Sequence, residues 1–188
     1  MGAPKALLRW GSGTMLEAVL QPLRDACAQV VIVAHAGQSL PPLPPDVVRV
    51  DDPVELDDQG PLVGLHAGLG TLEDEDLVYL AATDKPHITA AHIRWMFERL
   101  GQADAAVPIE PAGSTRRHPM HPLSGVLRVG AARTLAASLI ASGERALRCV
   151  FEGLDRVDVP VAELPNAAVL RDYNTPEAYA AGQQDNDA

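Results

Sequence analysis

The chain has 188 residues, of which 47% are hydrophobic and 21% charged, a balance typical of one folded domain. Its net charge of -10 argues against a nucleic-acid-binding function, because phosphate backbones are bound by basic surfaces, although a small phosphate ligand needs only a local basic patch. No apolar run is long enough to cross a bilayer and no signal-peptide core follows the first residues, so we predict a cytoplasmic protein with no membrane partner.

Apolar strands alternate with helices along the chain. The first predicted helix runs from residue 14 to about residue 28 and begins with a capping box, in which Thr14 is the N-cap and Glu17 reaches back to it. Unbroken apolar runs predict strands at residues 30–34 and 77–82, the second of them at the centre of the sheet. Weaker patterns predict strands at residues 47–50, 105–108, 157–161 and 169–171, and helices at residues 61–72, after residue 89, and at residues 131–142 and 144–152.

This alternation predicts an α/β fold of three layers, in which a mostly parallel sheet carries helices on both faces. We expect residues 1–181 to form a single domain and residues 182–188 to be a polar, frayed tail. The two cysteines, Cys27 and Cys149, lack the spacing of metal ligands and are expected to be buried thiols.

The start of the pattern is unusual. Doubly wound domains open with a buried strand and a glycine-rich turn, whereas this sequence passes directly from Met1 and Gly2 to Lys5. The first strand of the expected pattern is therefore missing. We expect the coding frame ahead of Met1 to supply an apolar strand and a glycine-rich loop, and the 188 residues alone to be poorly stable and nearly inactive. The competing explanation is that the protein has lost its phosphate-binding loop.

Asp84 follows the apolar run at residues 77–82, with only Thr83 between them, which places it at the carboxyl end of a buried strand. Ligands of open α/β sheets bind at that edge. A lone carboxylate there suits Mg²⁺, which prefers oxygen ligands and keeps several waters. The alternative is a turn aspartate ahead of Pro86.

A second candidate is the turn at Gly60 and Pro61, ahead of the helix predicted at residues 61–72. Glycine allows a ligand to approach the backbone closely, and proline fits the first turn of a helix, so the helix amides would face that ligand. On these grounds alone, a well-capped helix without a ligand is the better interpretation.

Four segments of the chain, taken together, suggest a family. They are residues 1–8 (Met-Gly-Ala-Pro-Lys-Ala-Leu-Leu), 60–65 (Gly-Pro-Leu-Val-Gly-Leu), 82–86 (Ala-Thr-Asp-Lys-Pro) and 172–177 (Asp-Tyr-Asn-Thr-Pro-Glu). In this order and spacing they resemble the molybdenum cofactor guanylyltransferases. The resemblance implies a Rossmann-like nucleotidyltransferase fold and the transfer of GMP from Mg²⁺-bound GTP to the terminal phosphate of molybdopterin, with release of pyrophosphate. GTP and molybdopterin are the implied partners, with a molybdoenzyme or its chaperone as a further one.

The resemblance also implies roles for individual residues. Lys5 matches the lysine that follows the family's Leu-Ala-Gly-Gly loop and would bind phosphate oxygens. Asp84 would hold Mg²⁺, so these two are the expected catalytic residues. Gly60, Pro61 and Leu62 would lie beside the nucleoside.

Two more pairs of residues match the family's motifs. The family has a nucleotide-contacting aspartate where Asp51 and Asp52 stand, and we favour Asp52, although a solvated turn explains the pair equally well. Asn174 belongs to the family's Asn-x-Asn-Thr-Pro motif near the acceptor site. Asp172 replaces the first asparagine of that motif, and a role for it in metal binding is left open.

Several basic residues also resemble the family's acceptor site. An anionic pterin phosphate would favour such cations, and a solvated basic loop is the equal alternative for the first four of them. They are Arg116, Arg117, His118, His121 and Arg145.

The sequence departs from the family's pattern at one further point. Residues 34–37 (Ala-His-Ala-Gly) stand where the family has an asparagine that helps hold the guanosine. Two alternatives therefore remain open. The first is a cytidylyltransferase acting on molybdopterin or another small phosphate acceptor, which Asp172 favours and the Gly60 loop opposes. The second is a catalytically degenerate module that binds the pterin or a partner protein.

Overall fold

The computed structural model describes residues 4–52, 60–114 and 118–186. Its strands are β1 Arg9–Trp10, β2 Gly13–Thr14, β3 Val30–Ala34, β4 Val47–Asp51, β5 Leu77–Tyr79, β6 Ala105–Ile109, β7 Val126–Arg128 and β8 Arg156–Pro160. Its α-helices are α1 Met15–Ala26, α2 Pro61–Leu69, α3 Ala90–Leu100, α4 Val129–Ala141, α5 Arg148–Gly153 and α6 Pro176–Asn186. A 3-10 helix, Lys5–Leu7, precedes β1.

The capping box predicted from the sequence is present at the start of α1. The backbone N–H of Thr14 donates to Glu17 Oε2 at 2.7 Å, and the backbone N–H of Glu17 donates to Thr14 Oγ1 at 3.2 Å. These two bonds satisfy backbone donors that the first turn of a helix leaves unpaired. The sequence therefore specifies the start of this helix locally.

The described strands form two two-stranded sheets and one mixed sheet of four strands. Strands β3 and β4 are parallel, and a four-stranded sheet has the order β5-β7-β6-β8. Strand β7 runs antiparallel to both of its neighbours, while β6 and β8 are parallel. The sheet is therefore mixed at β7, a strand that the sequence patterns did not predict. The reason is that β6 returns towards β7 without a crossover helix, as the antiparallel bridge between Ile109 and Met120 shows.

Apolar side chains cover both faces of this sheet, which confirms the three-layer α/β class. Strand β6 shows the arrangement most clearly, because Ala105 and Val107 pack in one hydrophobic cluster and Ala106 in the other. Helices α1 and α3 pack in the cluster on the Ala106 face, whereas α2, α4 and α5 supply most of the cluster on the opposite face. Among the described residues, no helix is both long and apolar enough to cross a membrane.

Three sequence-based expectations differ from the structure. The strand predicted at residues 77–82 ends at Tyr79 and lies at an edge of the four-stranded sheet in the described part of the chain, because the chain turns away where the N–H of Lys85 donates to the carbonyl of Ala82. The strand predicted at residues 169–171 is a 3-10 helix, Ala167–Leu170, because Asn166 caps its N–H groups. Helix α6 continues past residue 181, and Gly182 is buried within it.

Both cysteines are free and half-buried. Partial burial raises the pKa of the Cys27 thiol, which favours its unreactive protonated form. The expectation of structural thiols thus agrees with the fold, although neither side chain is fully buried.

Candidate active site

Three of the four sequence segments meet at one point in the structure. Lys5 Nζ lies 2.9 Å from Asp84 Oδ2 and also donates to the side-chain oxygen of Asn174. Lys5 comes from the 3-10 helix at the start of the described chain, Asp84 from the turn after β5, and Asn174 from the segment ahead of α6. Because Asp84 follows the carboxyl end of β5, this cluster lies where ligands of open α/β sheets bind.

The loop that carries Asn174 is held against the Asp84 turn by its neighbour in sequence. The backbone N–H of Tyr173 donates to the backbone carbonyl of Asp84 at 3.1 Å, and the Tyr173 hydroxyl lies 2.6 Å from His87 Nε2. The buried ring of Tyr173 also packs on Trp10, with ring centroids 4.8 Å apart. Tyr173 therefore positions Asn174 beside Asp84 without being available to a ligand itself.

Sequence reasoning did not identify this aromatic support. Tyr173 lies inside the segment 172–177, between Asp172 and Asn174. This position between two candidate polar residues is the sequence signal that could have indicated a supporting role. Helix α6 packs closely on it, because a Cβ atom added at Gly182 would overlap the Tyr173 ring and lie 2.8 Å from that of Trp10. The C-terminal helix thus belongs to the site's support rather than to a frayed tail.

The cluster presents oxygen atoms of the kind that bind a hydrated divalent cation. Two oxygen atoms, one from the Asp84 carboxylate and one from the Asn174 amide, already converge on a single cation, the Lys5 ammonium. In the described part of the chain, no group of three or more histidine, cysteine or acidic side chains could hold a metal. A site with one carboxylate suits Mg²⁺, which keeps several waters and is often held jointly by one carboxylate and substrate phosphates.

The Gly60 turn belongs to a second group of residues. Gly60 is the N-cap of α2 with φ +91°, Pro61 is the first helical residue, and Leu62 is fully buried in the core. The backbone N–H of Leu62 donates to the carbonyl of Arg145 at 3.3 Å. The structure therefore joins the Gly60 turn to the segment 143–145, two segments that the sequence presents separately.

Glu144 fixes the backbone of the segment that contacts the Gly60 turn. Its Oε1 accepts the backbone N–H groups of Arg145 at 2.7 Å and Ala146 at 2.8 Å. These backbone hydrogen bonds, that of Ala146 first, lower the pKa of Glu144 to about 2. Arg145 itself donates from Nη1 to the carbonyls of Ile140 and Glu144, so it also stabilises the end of α4.

The contact at Gly60 predicts a measurable cost for adding a methyl group. A Cβ atom at Gly60 would lie 2.9 Å from the backbone carbonyl oxygen of Arg145, and φ there is +91°. Gly143 has the same φ but open space around an added Cβ, so Gly143→Ala measures the backbone strain alone. We expect Gly143→Ala to lower the free energy of unfolding by about 1–2 kcal/mol, and Gly60→Ala to lower it by about 1–3 kcal/mol more. Urea unfolding of both variants tests this, and equal losses would show that the Gly60 turn is not packed on Arg145.

Asp52 lies beside the same helix. Its backbone N–H donates to the carbonyl of Ala34 at 2.8 Å, and a Cβ atom at Gly64 of α2 would lie 3.1 Å from Asp52 Oδ1. That oxygen is buried and has no hydrogen-bond partner among the described residues, while Oδ2 lies 3.5 Å from His35 Nδ1. Asp51 is exposed and bonds to Arg49 at 2.9 Å. The structure therefore directs Asp52, not Asp51, towards α2.

The basic loop expected near the acceptor is only partly available to a ligand. His121 is buried, and its Nε2 lies 2.9 Å from Glu110 Oε1, so the structure contradicts its role as a surface cation. The reason is that the antiparallel return after β6 turns this segment back onto Pro108. His118 is exposed, and Arg116 and Arg117 lie outside the described residues.

Comparison with known proteins identifies the family. Residues 1–157 match the MobA-like NTP transferase domain. The chain belongs to this family. It is therefore a nucleotidyltransferase. The three-layer fold and the position of the site at the strand ends agree with this assignment. A relative in Mycobacterium tuberculosis (strain ATCC 25618 / H37Rv), called probable molybdenum cofactor guanylyltransferase, is 30% identical over 167 residues, which are 87% of this chain and 78% of the relative.

Solved structures support the same fold. The molybdopterin-guanine dinucleotide biosynthesis protein A from Archaeoglobus fulgidus superposes with a TM-score of 0.73 at 19% identity, over 97% of this chain and 90% of that one. The 2-C-methyl-D-erythritol 4-phosphate cytidylyltransferase from Thermus thermophilus also has a TM-score of 0.73, at 18% identity, over 100% of this chain and 95% of that one. Since the two fit equally well, the backbone fold does not discriminate between guanine and cytosine nucleotides.

Proposed function

We propose that this nucleotidyltransferase transfers GMP from Mg²⁺-bound GTP to the terminal phosphate of molybdopterin, releasing pyrophosphate. The observation that carries the proposal is the convergence of Lys5, Asp84 and Asn174 at the carboxyl end of β5. The relative called probable molybdenum cofactor guanylyltransferase, at 30% identity, supports the choice of acceptor and base.

The charges of this cluster suit a triphosphate. The side chain of Lys5 is 37% exposed, so its ammonium can reach a phosphate oxygen while it stays near Asp84. The side chain of Asp84 is 17% exposed and would hold the Mg²⁺ that accompanies the nucleotide. The Asn174 amide oxygen accepts a hydrogen bond from Lys5 Nζ, and it would keep Lys5 in place when a phosphate competes for the ammonium.

The reaction is an in-line displacement at the α-phosphorus of GTP. A terminal phosphate oxygen of molybdopterin forms the new bond to the α-phosphorus, and the bond from that phosphorus to the bridging oxygen breaks, so the electron pair leaves with pyrophosphate. Mg²⁺, when bound, neutralises charge on the reacting phosphates. The protein contributes positioning and a fixed positive charge at Lys5, because this chemistry needs no covalent intermediate.

The second group of residues would hold the nucleoside. Gly60 is the N-cap of α2, and the buried Asp52 Oδ1, which lies beside the same helix, has no partner among the described residues. A buried carboxylate oxygen is costly unless it accepts a hydrogen bond. Guanine offers adjacent ring and amino N–H donors to such a carboxylate, and this supports guanine as the base.

Calorimetric titration with GTP and with CTP, each with Mg²⁺, tests the proposal. We expect GTP to bind at least about tenfold more tightly, which corresponds to about 1.4 kcal/mol of binding free energy, and Asp52→Asn to reduce this preference. Release of pyrophosphate with GTP and molybdopterin together, but not with GTP alone, would then establish the acceptor.

Two results would overturn the proposal in different ways. Preferential binding of CTP would identify a cytidylyltransferase. Binding of molybdopterin with no affinity for either nucleotide would identify a module without transferase activity.

A further inference from the structure

Lys85 directly follows Asp84, and its side chain is buried instead of reaching solvent. The residue is 7% exposed, and in the described part of the chain it is the one lysine, arginine or acidic residue that is buried. Lysine side chains normally keep their ammonium in water, because removing a charge from water is costly. A methionine of similar length would fill the same volume without this cost, so the buried ammonium calls for an explanation.

The ammonium of Lys85 connects two segments at one end of the four-stranded sheet. Its Nζ donates to Ser124 Oγ at 3.2 Å, and Ser124, which is fully buried, ends the 3-10 helix Pro122–Ser124 ahead of β7. Ser124 Oγ in turn donates to the carbonyl of Leu123 at 2.6 Å. The side chain of Lys85 thus ties the turn after β5 to the segment that leads into β7.

This contact lies beyond the paired part of the two strands. Strand β5 pairs with β7 up to Tyr79, and the N–H of Leu80 donates to the carbonyl of Gly125 at 2.9 Å. The chain then turns away, with the N–H of Lys85 donating to the carbonyl of Ala82 at 3.2 Å. The Lys85 ammonium therefore attaches the turn to the neighbouring segment where the strands have already separated.

Asp84 lies between this attachment and a second one. The backbone carbonyl of Asp84 accepts the N–H of Tyr173 at 3.1 Å, and the side chain of the next residue, Lys85, binds Ser124. Between these two attachments the Asp84 carboxylate faces Lys5, with Oδ2 2.9 Å from Nζ. Removing the Lys85 ammonium would leave the contact with Tyr173 but release the turn from the segment ahead of β7.

We propose that Lys85 is a positioning residue, whose buried ammonium, bonded to Ser124, fixes the turn that presents the Asp84 carboxylate to the reaction site. Lys85 acts through Asp84 and does not itself bind the nucleotide or the metal. A carboxylate that already points in the right direction needs less ordering when its ligand binds. The role of the fixed carboxylate towards Mg²⁺ rests on the proposed function, whereas the fixing of the turn does not.

Two substitutions, Lys85→Met and Ser124→Ala, each remove the contact between the two segments. In Lys85→Met the hydroxyl of Ser124 keeps its own bond to Leu123, so we expect the urea midpoint of this variant not to fall. Ser124→Ala keeps the ammonium but removes the hydroxyl that accepts from it. The control, Val159→Ala, shortens a buried side chain of β8, at the opposite edge of the sheet from β5, and should lower stability without affecting the turn.

Hydrogen exchange measures the effect on the turn directly. The amide of Tyr173 reports its bond to Asp84, and the amide of Arg128, which donates to the carbonyl of Asp104 at 2.8 Å at the other end of the strands, reports global stability. We expect Lys85→Met and Ser124→Ala to speed exchange of the Tyr173 amide at least about tenfold relative to that of Arg128. Val159→Ala should change both amides by the same factor, since it acts only through global stability.

Calorimetry with Mn²⁺ and GTP measures the consequence for the site. We expect Lys85→Met and Ser124→Ala to weaken Mn²⁺ binding roughly tenfold, because residues that orient a metal ligand affect metal affinity by this order. Val159→Ala should bind Mn²⁺ as the wild type does, at a temperature at which all four proteins are folded. Weaker Mn²⁺ binding in Lys85→Met without a lower urea midpoint is a combination that a purely structural lysine would not produce.

The possible failures of this inference differ from those of the proposed function. Equal exchange ratios in the wild type and in both turn variants would show that Lys85 does not fix the turn. Faster Tyr173 exchange with unchanged Mn²⁺ affinity would show that the turn does not position a metal ligand, and either result would overturn the inference while the wild type still binds Mn²⁺ and GTP. A wild type that binds neither would instead contradict the proposed function, and the exchange of the Tyr173 amide would still decide whether Lys85 fixes the turn.

Discussion

Asp84→Asn is expected to reduce the rate of GMP transfer by roughly 10²- to 10⁴-fold, because loss of a metal ligand removes several kcal/mol of transition-state stabilisation. The substitution keeps the size of the side chain but removes the charge that faces Lys5 at 2.9 Å. The uncharged amide would bind Mg²⁺ poorly, and the ammonium of Lys5 would lose the partner that orients it. Initial rates of pyrophosphate release with GTP and molybdopterin measure this effect.

The control for this prediction is the same substitution at another ion pair. Asp46 is exposed, pairs with Arg24 at 2.7 Å, and directly precedes β4, so it lies at the amino end of the sheet and away from the site. Asp46→Asn should leave the transfer rate within about twofold, since surface ion pairs contribute little. Binding of Mn²⁺ with GTP, followed by calorimetry, should weaken only for Asp84→Asn. A normal transfer rate in that variant would remove Asp84 from the proposed mechanism.

The buried imidazole of His92 is expected to make the protein less stable as the pH falls from about 6.5 to about 4. Burial first, and the nearby charge of Lys85 second, lower the pKa of His92 to about 4. In the unfolded chain the imidazole takes up a proton near pH 6.5, but in the folded protein it stays neutral until the pH is near 4. Protons therefore favour the unfolded state in this window, and the cost approaches about 3 kcal/mol at its acid end.

The environment of His92 explains why its protonation is unfavourable. The side chain is 1% exposed, neither ring nitrogen has a hydrogen-bond partner among the described residues, and the ring packs edge-on against Tyr79. Lys85, whose Nζ donates to Ser124 Oγ at 3.2 Å, adds a buried positive charge nearby. A second positive charge at His92 would thus be both desolvated and repelled.

Urea unfolding of the wild type and of His92→Phe between about pH 8 and pH 4 measures this effect. At the alkaline end the imidazole is neutral in both states, so the difference there reports only the packing of the new ring. Carboxylates such as Glu144, with its lowered pKa, also lose stabilising interactions in acid, and they do so equally in both proteins. We therefore expect the stability of the wild type to fall more steeply below about pH 6.5. Parallel curves for the two proteins would contradict the buried neutral imidazole.

The sequence alone determined features that depend on near neighbours along the chain. The capping box at Thr14 and Glu17 fixes the start of α1 through hydrogen bonds three residues apart. The apolar run at residues 30–34 specifies β3, because a strand covered on both sides needs apolar residues at every position. The order and spacing of four short segments were enough to predict the family. The match of residues 1–157 to the MobA-like NTP transferase domain confirmed it.

The way in which distant segments meet depends on the complete fold. Lys5 and Asn174 are 169 positions apart, so no local pattern could show that Lys5 contacts Asn174 as well as Asp84. The inward turn of His121 likewise depends on the antiparallel return after β6, and local sequence does not encode the direction of that return. Local hydrogen bonds and side-chain periodicity act within a few residues, whereas the site is assembled by the path of the backbone through the sheet.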